Sequence, residues 1–362
     1  MQNVQRIDYI DLLKALAIYL VIIYHFNKIP INIIECDNYW NYFNLYLSSI
    51  FSICVPVFFF VNGLLLLNKK EINMKKHIMK IINIAILTVL WGFITLVASR
   101  YIQGEGLSPL QILSGSWRGV GHLWFLRALI VIYVFYPFIH ITYHSNKKIF
   151  YFFFTCVMLF TFGNTLLEIF FTTISYFSNK FTTTDFHQNY LTSFNPFRGI
   201  HGYSIGYFML GGLMGCLFQN FNDLQKNKFR TIAILVIPIS MLCLFLYAII
   251  VSLRNKAMWD IVWNGYDTIF TLINVIAVFI IFLHYKSHGW FGDFIRIVGK
   301  NSLGIYFIHI IIGNILTPFY SQLGLSTMFL TNIVYAFVIL LFSLLIAIIL
   351  KKIPIIKYLF SI

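Results

Sequence analysis

Residues 9–27 read YIDLLKALAIYLVIIYHFN, and in these nineteen positions the only acidic or basic side chains are Asp11, Lys14 and His25. At 1.5 Å per residue, a helix of about 20 residues crosses the roughly 30 Å hydrocarbon core of a bilayer. The run is apolar on nearly every face, whereas a strand of a membrane barrel alternates apolar and polar residues, so a helix is the only spanning structure that fits. Nine more runs of this kind follow, near 45–67, 78–98, 122–142, 149–168, 200–219, 231–251, 265–284, 300–319 and 327–350. The expected fold is therefore all-α: a polytopic integral membrane protein of about ten transmembrane helices, forming a single domain over 1–362.

Composition leads to the same place. Of 362 residues, 59% are hydrophobic and 10% charged, against about 25% charged in soluble domains. Aromatics make up 19%. So few charges cannot cover that much apolar surface in water, but lipid is itself an apolar solvent.

The formal charge of +14 suggests nucleic acid only until the cations are located. They fall in short segments between apolar runs: Lys69, Lys70, Lys75 and Lys76, then Lys147 and Lys148, then Lys226, Lys228 and Arg230, and finally Lys351, Lys352 and Lys357. This is the signature of cytoplasmic loops rather than a nucleic-acid surface. With both termini in the cytoplasm, 17 Lys and Arg residues lie inside and 7 outside, so that orientation is expected. No cleavable signal peptide is expected, because no small-residue cleavage site follows the first run. The outer segment 169–199, with Asp185, His187 and Arg198, is the longest stretch between runs and reads either as a functional loop or as a mobile one. The five cysteines show no CxxC spacing, and the four in apolar runs read as small buried hydrophobes. No metal site is expected.

Ionisable groups inside a span are costly and mark function by default. Lys14 and His25 are eleven positions apart, which places them on nearly one helix face and about 16 Å apart along the axis. Asp11 lies one turn before Lys14 and can pair with it. Equally, these residues could anchor the helix at the two interfaces.

Four segments together carry a resemblance. Asp11 to Ala17, followed by His25, resembles the first-helix signature of the membrane acyltransferase 3 family: Arg or Lys, ten residues, then His. Val55 to Gly63 resembles its Pro-x-Phe-Phe-x-x-Ser-Gly stretch. His122-Leu123-Trp124-Phe125, running on to Tyr133 and Pro137, resembles its His-Leu-Trp-Phe segment, and Asn301 to His309 resembles its Ser-x-Gly-Ile-Tyr-x-x-His segment. Two positions depart from the pattern: Asn62 stands where Ser is usual, and Lys14 where Arg is commoner. Lysine keeps the charge but lacks the bidentate fork. The likeness is closest to bacterial O-acetyltransferases of surface glycans, of the enterobacterial common antigen type.

The resemblance implies transfer of an acyl group, usually acetyl, from a cytoplasmic acyl-CoA such as acetyl-CoA to a hydroxyl of an extracytoplasmic glycan or lipid-linked saccharide, with no bound cofactor. The bilayer of a bacterial cell membrane, the acyl-CoA and the saccharide are then the partners, a homodimer is left open, and nucleic acid is not a partner. His25 is the catalytic candidate, as base or as acyl carrier. Asp11, Lys14, Lys69 and Lys70 are candidates for holding the donor, Lys14 meeting its phosphates. Asn62, His122, Trp124, Arg127, Tyr306 and His309 are further candidates for donor or substrate binding. His122 opens the fourth span on the same side as His25. As alternatives, His122 is an interfacial residue, Arg127 an interhelical partner of Glu168 or Asp11, and His309 a packing residue. His77, His140, His144, His284 and His288 lie at loop boundaries and are assigned nothing. Two rival functions stay open: a transporter or flippase for a polysaccharide or lipid-linked intermediate, and a non-catalytic subunit of a glycan-assembly complex.

Overall fold

The computed structural model describes residues 7–106, 108, 114–115, 121–177, 191, 202–219, 221–325, 327–354 and 356–360. Among them there is no strand. The helices are α1 (Asp8–Phe26), α2 (Tyr39–Ser48), α3 (Cys54–Leu66), α4 (Met74–Gln103), α5 (Trp124–Ser145), α6 (Lys147–Phe177), α7 (Tyr203–Gln219), α8 (Asp223–Asn255), α9 (Ile269–Phe282), α10 (Gly289–Gln322) and α11 (Phe329–Lys351). A 3-10 turn, Ser49–Ile53, joins α2 to α3, and another, Gly121–Leu123, leads into α5.

Among the described residues, eight helical segments are long and apolar enough to cross a membrane. With the shorter apolar helices α7 and α9, they fall on the ten positions expected from hydropathy, so the all-α polytopic fold is as anticipated. The ends of the helices are set by local chemistry. Asn73 accepts from the Lys76 amide at the start of α4, Thr268 caps α9, and Asn222 and Gln225 form a reciprocal capping box on α8. Gly104, at φ +70°, closes α4 in the left-handed conformation that glycine adopts without penalty.

Two expectations are corrected. The helix of the fifth span continues nine residues beyond 168, α6 ending at Phe177, and its candidate membrane-crossing part reaches Phe171. Ile169, Phe170 and Phe171 keep the segment apolar enough for lipid, which rewards a helix that satisfies its own backbone. The rest of the expected outer loop, including Asp185, His187 and Arg198, lies outside the described residues. Nor are the four cysteines of the apolar runs uniformly buried: Cys54 is, Cys156 and Cys243 are partly so, and Cys216 is exposed. In lipid an apolar side chain can face outward at no cost, so apolarity alone does not mean burial.

The chain folds into two compact units, one of residues 1–29, 70–137 and 285–362, the other of 30–69 and 138–284. In the first, α1 packs against α10 and α11, and α10 also packs on α4. A Cβ at Gly299 would lie 2.5 Å from the Asp11 carbonyl oxygen, and one at Gly313 would fall inside the Phe26 ring. Asp8, in turn, accepts from the Ser287 amide at 3.0 Å and lies near Arg296. Along both helices the numbers rise together, so α1 and α10 run in the same sense with their backbones close. Tyr19 Oη donates to the Ile333 carbonyl, and the Lys28 amide donates to Asn332 Oδ1, fixing α1 and its exit against α11. Behind α10, Phe307 stacks on Trp91 of α4 at 4.8 Å, and Trp91 Nε1 donates to the Leu359 carbonyl of a final 3-10 turn, Ile356–Phe360.

In the second unit α3 packs closely on α7, and α8 on α9. A Cβ at Gly63 would overlap the Phe208 carbonyl, and one at Gly211 the Phe60 carbonyl. His140 and His144 each donate a ring N–H to a carbonyl just past the end of α3, Lys69 and Leu67 respectively. These two histidines therefore satisfy backbone groups that a helix end leaves open. Glu168 is buried, accepting from Asn164 Nδ2 and from the Tyr247 hydroxyl.

Candidate active site

The close approach of α1 to α10 brings distant histidines together within the first unit. Ser302, Tyr306, His309 and Gly313 recur at intervals of four, three and four residues, one stripe of α10. Gly313 receives the Phe26 ring, and next to it the ring centroids of His25 and His309 are 5.4 Å apart. His122, from the turn before α5, has its ring 5.7 Å from His309 at an 88° interplanar angle. Three imidazoles thus meet, from α1, α10 and the entrance to α5.

The members differ in exposure and bonding. His309 is fully buried and His122 is 6% exposed. His25, by contrast, keeps accessible surface. His309 Nδ1 lies 2.7 Å from the Tyr306 carbonyl, while its Nε2 and both ring nitrogens of His122 have no hydrogen-bond partner among the described residues. A buried polar atom left unpaired costs about 1–3 kcal/mol. Groups of this kind concentrate where a ligand supplies the missing bonds. Among the described residues, no group of three or more His, Cys, Asp or Glu side chains converges closely enough to hold a metal ion.

Tyr306 ties the cluster together. It is buried, its backbone carbonyl accepts from His309, and its hydroxyl donates to the His122 carbonyl. Phe125 packs on it at 5.6 Å, and Arg127, one turn further along α5 from Leu123, is exposed.

At the other end of α1 the arrangement changes character. Asp11 is 5% exposed and its backbone abuts Gly299, while Lys14 is half-buried. Because α1 is unbroken from Asp8 to Phe26, Lys14 stands about 16 Å along the helix from His25.

A family model for an acyltransferase domain matches residues 7–352. The chain belongs to the acyltransferase 3 family. No curated protein and no solved structure matches it at a significant level. The protein is thus a membrane acyltransferase, and the match extends over nearly all of its helices.

In this acyltransferase the structure gathers His25, His122, Tyr306 and His309 at one end of the α1–α10 contact, with Trp124 buried at the start of α5 and Arg127 exposed on the same helix. Asp11 and Lys14 lie at the other end. Asn62 and Lys69 belong to the second unit, where Asn62 Nδ2 donates to the Phe58 carbonyl of its own helix and Lys69 is exposed just past α3. Lys70 is exposed in the first unit. Sequence reasoning missed a contact near the level of Gly299: Lys351 Nζ donates to Asn301 Oδ1 at 2.8 Å, with Lys300 close enough to act on its charge. A lysine at the end of an apolar run reads as an ordinary topology signal, and nothing local reveals that α11 returns it to α10.

The role of Tyr306 as a tie gives a direct expectation. Tyr306→Phe keeps the ring and loses only the hydroxyl donated to His122, so the His122 backbone is no longer held. Stability should fall by about 1 kcal/mol, read as a lower midpoint in thermal unfolding of detergent-solubilised protein. An unchanged midpoint would mean that the hydroxyl holds nothing.

Proposed function

We propose that the protein transfers an acyl group, most simply acetyl, from a cytoplasmic acyl-CoA to a hydroxyl of an extracytoplasmic glycan or lipid-linked saccharide, in the manner of surface-glycan O-acetyltransferases of the enterobacterial common antigen type. The observation that carries this reading is the accessible His25 imidazole set against two buried histidines in a chain of this family.

A sugar hydroxyl is a poor nucleophile near neutral pH. His25 takes its proton as the oxygen attacks the thioester carbonyl carbon. The tetrahedral intermediate collapses, the C–S bond breaks, and the departing thiolate takes the proton back from His25. The new ester, free CoA and a neutral imidazole result. A ring N–H of His122 is suited to receive the oxygen that becomes negative in the intermediate, because a donor already desolvated and in place loses little on reaction. Lys14 holds donor phosphates as a point charge, and the long thioester arm extends along α1 toward His25.

The test uses purified protein in lipid nanodiscs with labelled acetyl-CoA and a set of methyl glycosides. Labelled ester on a glycoside, or release of CoA from acetyl-CoA in its absence, supports the reading; neither product from well-folded protein sinks it. Lys14→Ala removes a charge-assisted contact of about 1.5–3 kcal/mol, so the acetyl-CoA KM should rise roughly ten- to a hundredfold with kcat little changed. An unaltered KM would take Lys14 out of donor binding.

A further inference from the structure

The histidine cluster contains a chain of hydrogen-bonding groups that the reaction above does not use. A carbonyl only accepts, so in the neutral His309 ring the hydrogen sits on Nδ1, facing Tyr306, and Nε2 carries a lone pair. That Nε2 is fully buried and bonds to no atom among the described residues. The His25 ring centroid is 5.4 Å away, with the planes tilted by 45°. Two imidazoles joined by an N–H···N bond of about 2.9 Å have centroids about 5 Å apart, so a small ring rotation makes the bond. His122 is not equivalent: among the described residues neither of its nitrogens has a hydrogen-bond partner.

We propose that His309 is the positioning residue for His25, its Nε2 accepting the N–H of one His25 nitrogen so that the other presents its lone pair to the acceptor hydroxyl. The series then runs from the Tyr306 carbonyl through His309 to His25. It performs with a backbone-anchored imidazole what a buried carboxylate does in a Ser-His-Asp triad, where the third group holds the base in one tautomer and orientation. No proton is lost from His309 during turnover: the hydroxyl proton resides on His25 and leaves with the thiolate. The inference rests on His25 being the base, and it adds a reason for a histidine that is buried beside the accessible His25.

Three substitutions separate this role from packing. His309→Gln carries an amide oxygen to about the place of Nε2 and should keep kcat for CoA release within about tenfold of the unaltered protein. His309→Leu fills similar space with no acceptor and should lose about a hundredfold in kcat while the acetyl-CoA KM stays the same. If Leu fails to fold, His309→Asn replaces it, because its shorter amide reaches only the Nδ1 position. Placed in a His25→Ala background, His309→Leu should cause no further loss, since groups acting as a unit are not additive. Equal activity of the Gln and Leu variants, or a full second loss in the double variant, overturns the positioning role. Undiminished turnover by His25→Ala alone would instead bring down the reading beneath it.

Discussion

His25→Ala is expected to leave acetyl-CoA binding intact and to cut acyl transfer by about 10²–10⁴-fold, the range associated with removal of a general base. The two effects separate because the helix separates them. Lys14 and His25 share α1 but stand about 16 Å apart, and the His25 end carries the buried histidines while the Lys14 end carries Asp11 and Gly299. Donor binding is read from the stabilisation that acetyl-CoA gives in thermal unfolding, and transfer from the label. His25→Gln, which keeps polarity and approximate size, should fail equally, since an amide cannot take a proton near neutral pH. Loss of donor binding in step with transfer would contradict the division of roles along α1.

The second large effect concerns folding. Gly63→Leu should abolish the α3–α7 contact, because even a methyl group at that position overlaps the Phe208 carbonyl, and backbone cannot move aside as a flexible side chain can. Gly211 makes the reciprocal approach to Phe60. Within a bilayer no hydrophobic force presses helices together, so close backbone packing between small residues supplies much of the attraction. Overpacking costs about 1–3 kcal/mol in ordinary cores, and a leucine driven into a backbone should exceed that. The measurement is the yield of monodisperse protein in mild detergent and its unfolding midpoint. Gly106→Leu, where an added Cβ meets nothing within 4 Å among the described residues, serves as the control. Equal behaviour of the two variants would show that α3 and α7 do not depend on the close approach.

Much of the fold was legible because lipid imposes a simple rule: about 20 apolar residues in a row must be a helix. Among the described residues each of the ten expected runs is mainly helical for that reason. The rule says where a chain is apolar but not which element it meets, and this is why Cys216 was misplaced and why α6 outran its expected end. The site shows the same boundary. Lys14 and His25 share a helix, so their spacing could be read directly. That His309 meets His25 could not be read from the sequence, because their approach depends on Gly313 admitting the Phe26 ring and so bringing α1 close. The carbonyl-capping roles of His140 and His144 depend likewise on the end of α3, more than seventy positions earlier in the chain.

The pairing of α1 with α10 also sets a schedule for biosynthesis. Roughly 280 residues separate His25 from His309, and at about 5–20 residues per second the ribosome needs between a quarter of a minute and a minute to make them. Throughout that interval the first helix resides in the bilayer without the surface that later covers Asp11. Asp11 and Lys14, one turn apart, can neutralise each other in the meantime. Residues 30–69 can begin to assemble with residues from 138 onward before α10 exists, whereas the first unit, and with it the histidine cluster, closes only when translation reaches the ninth apolar run.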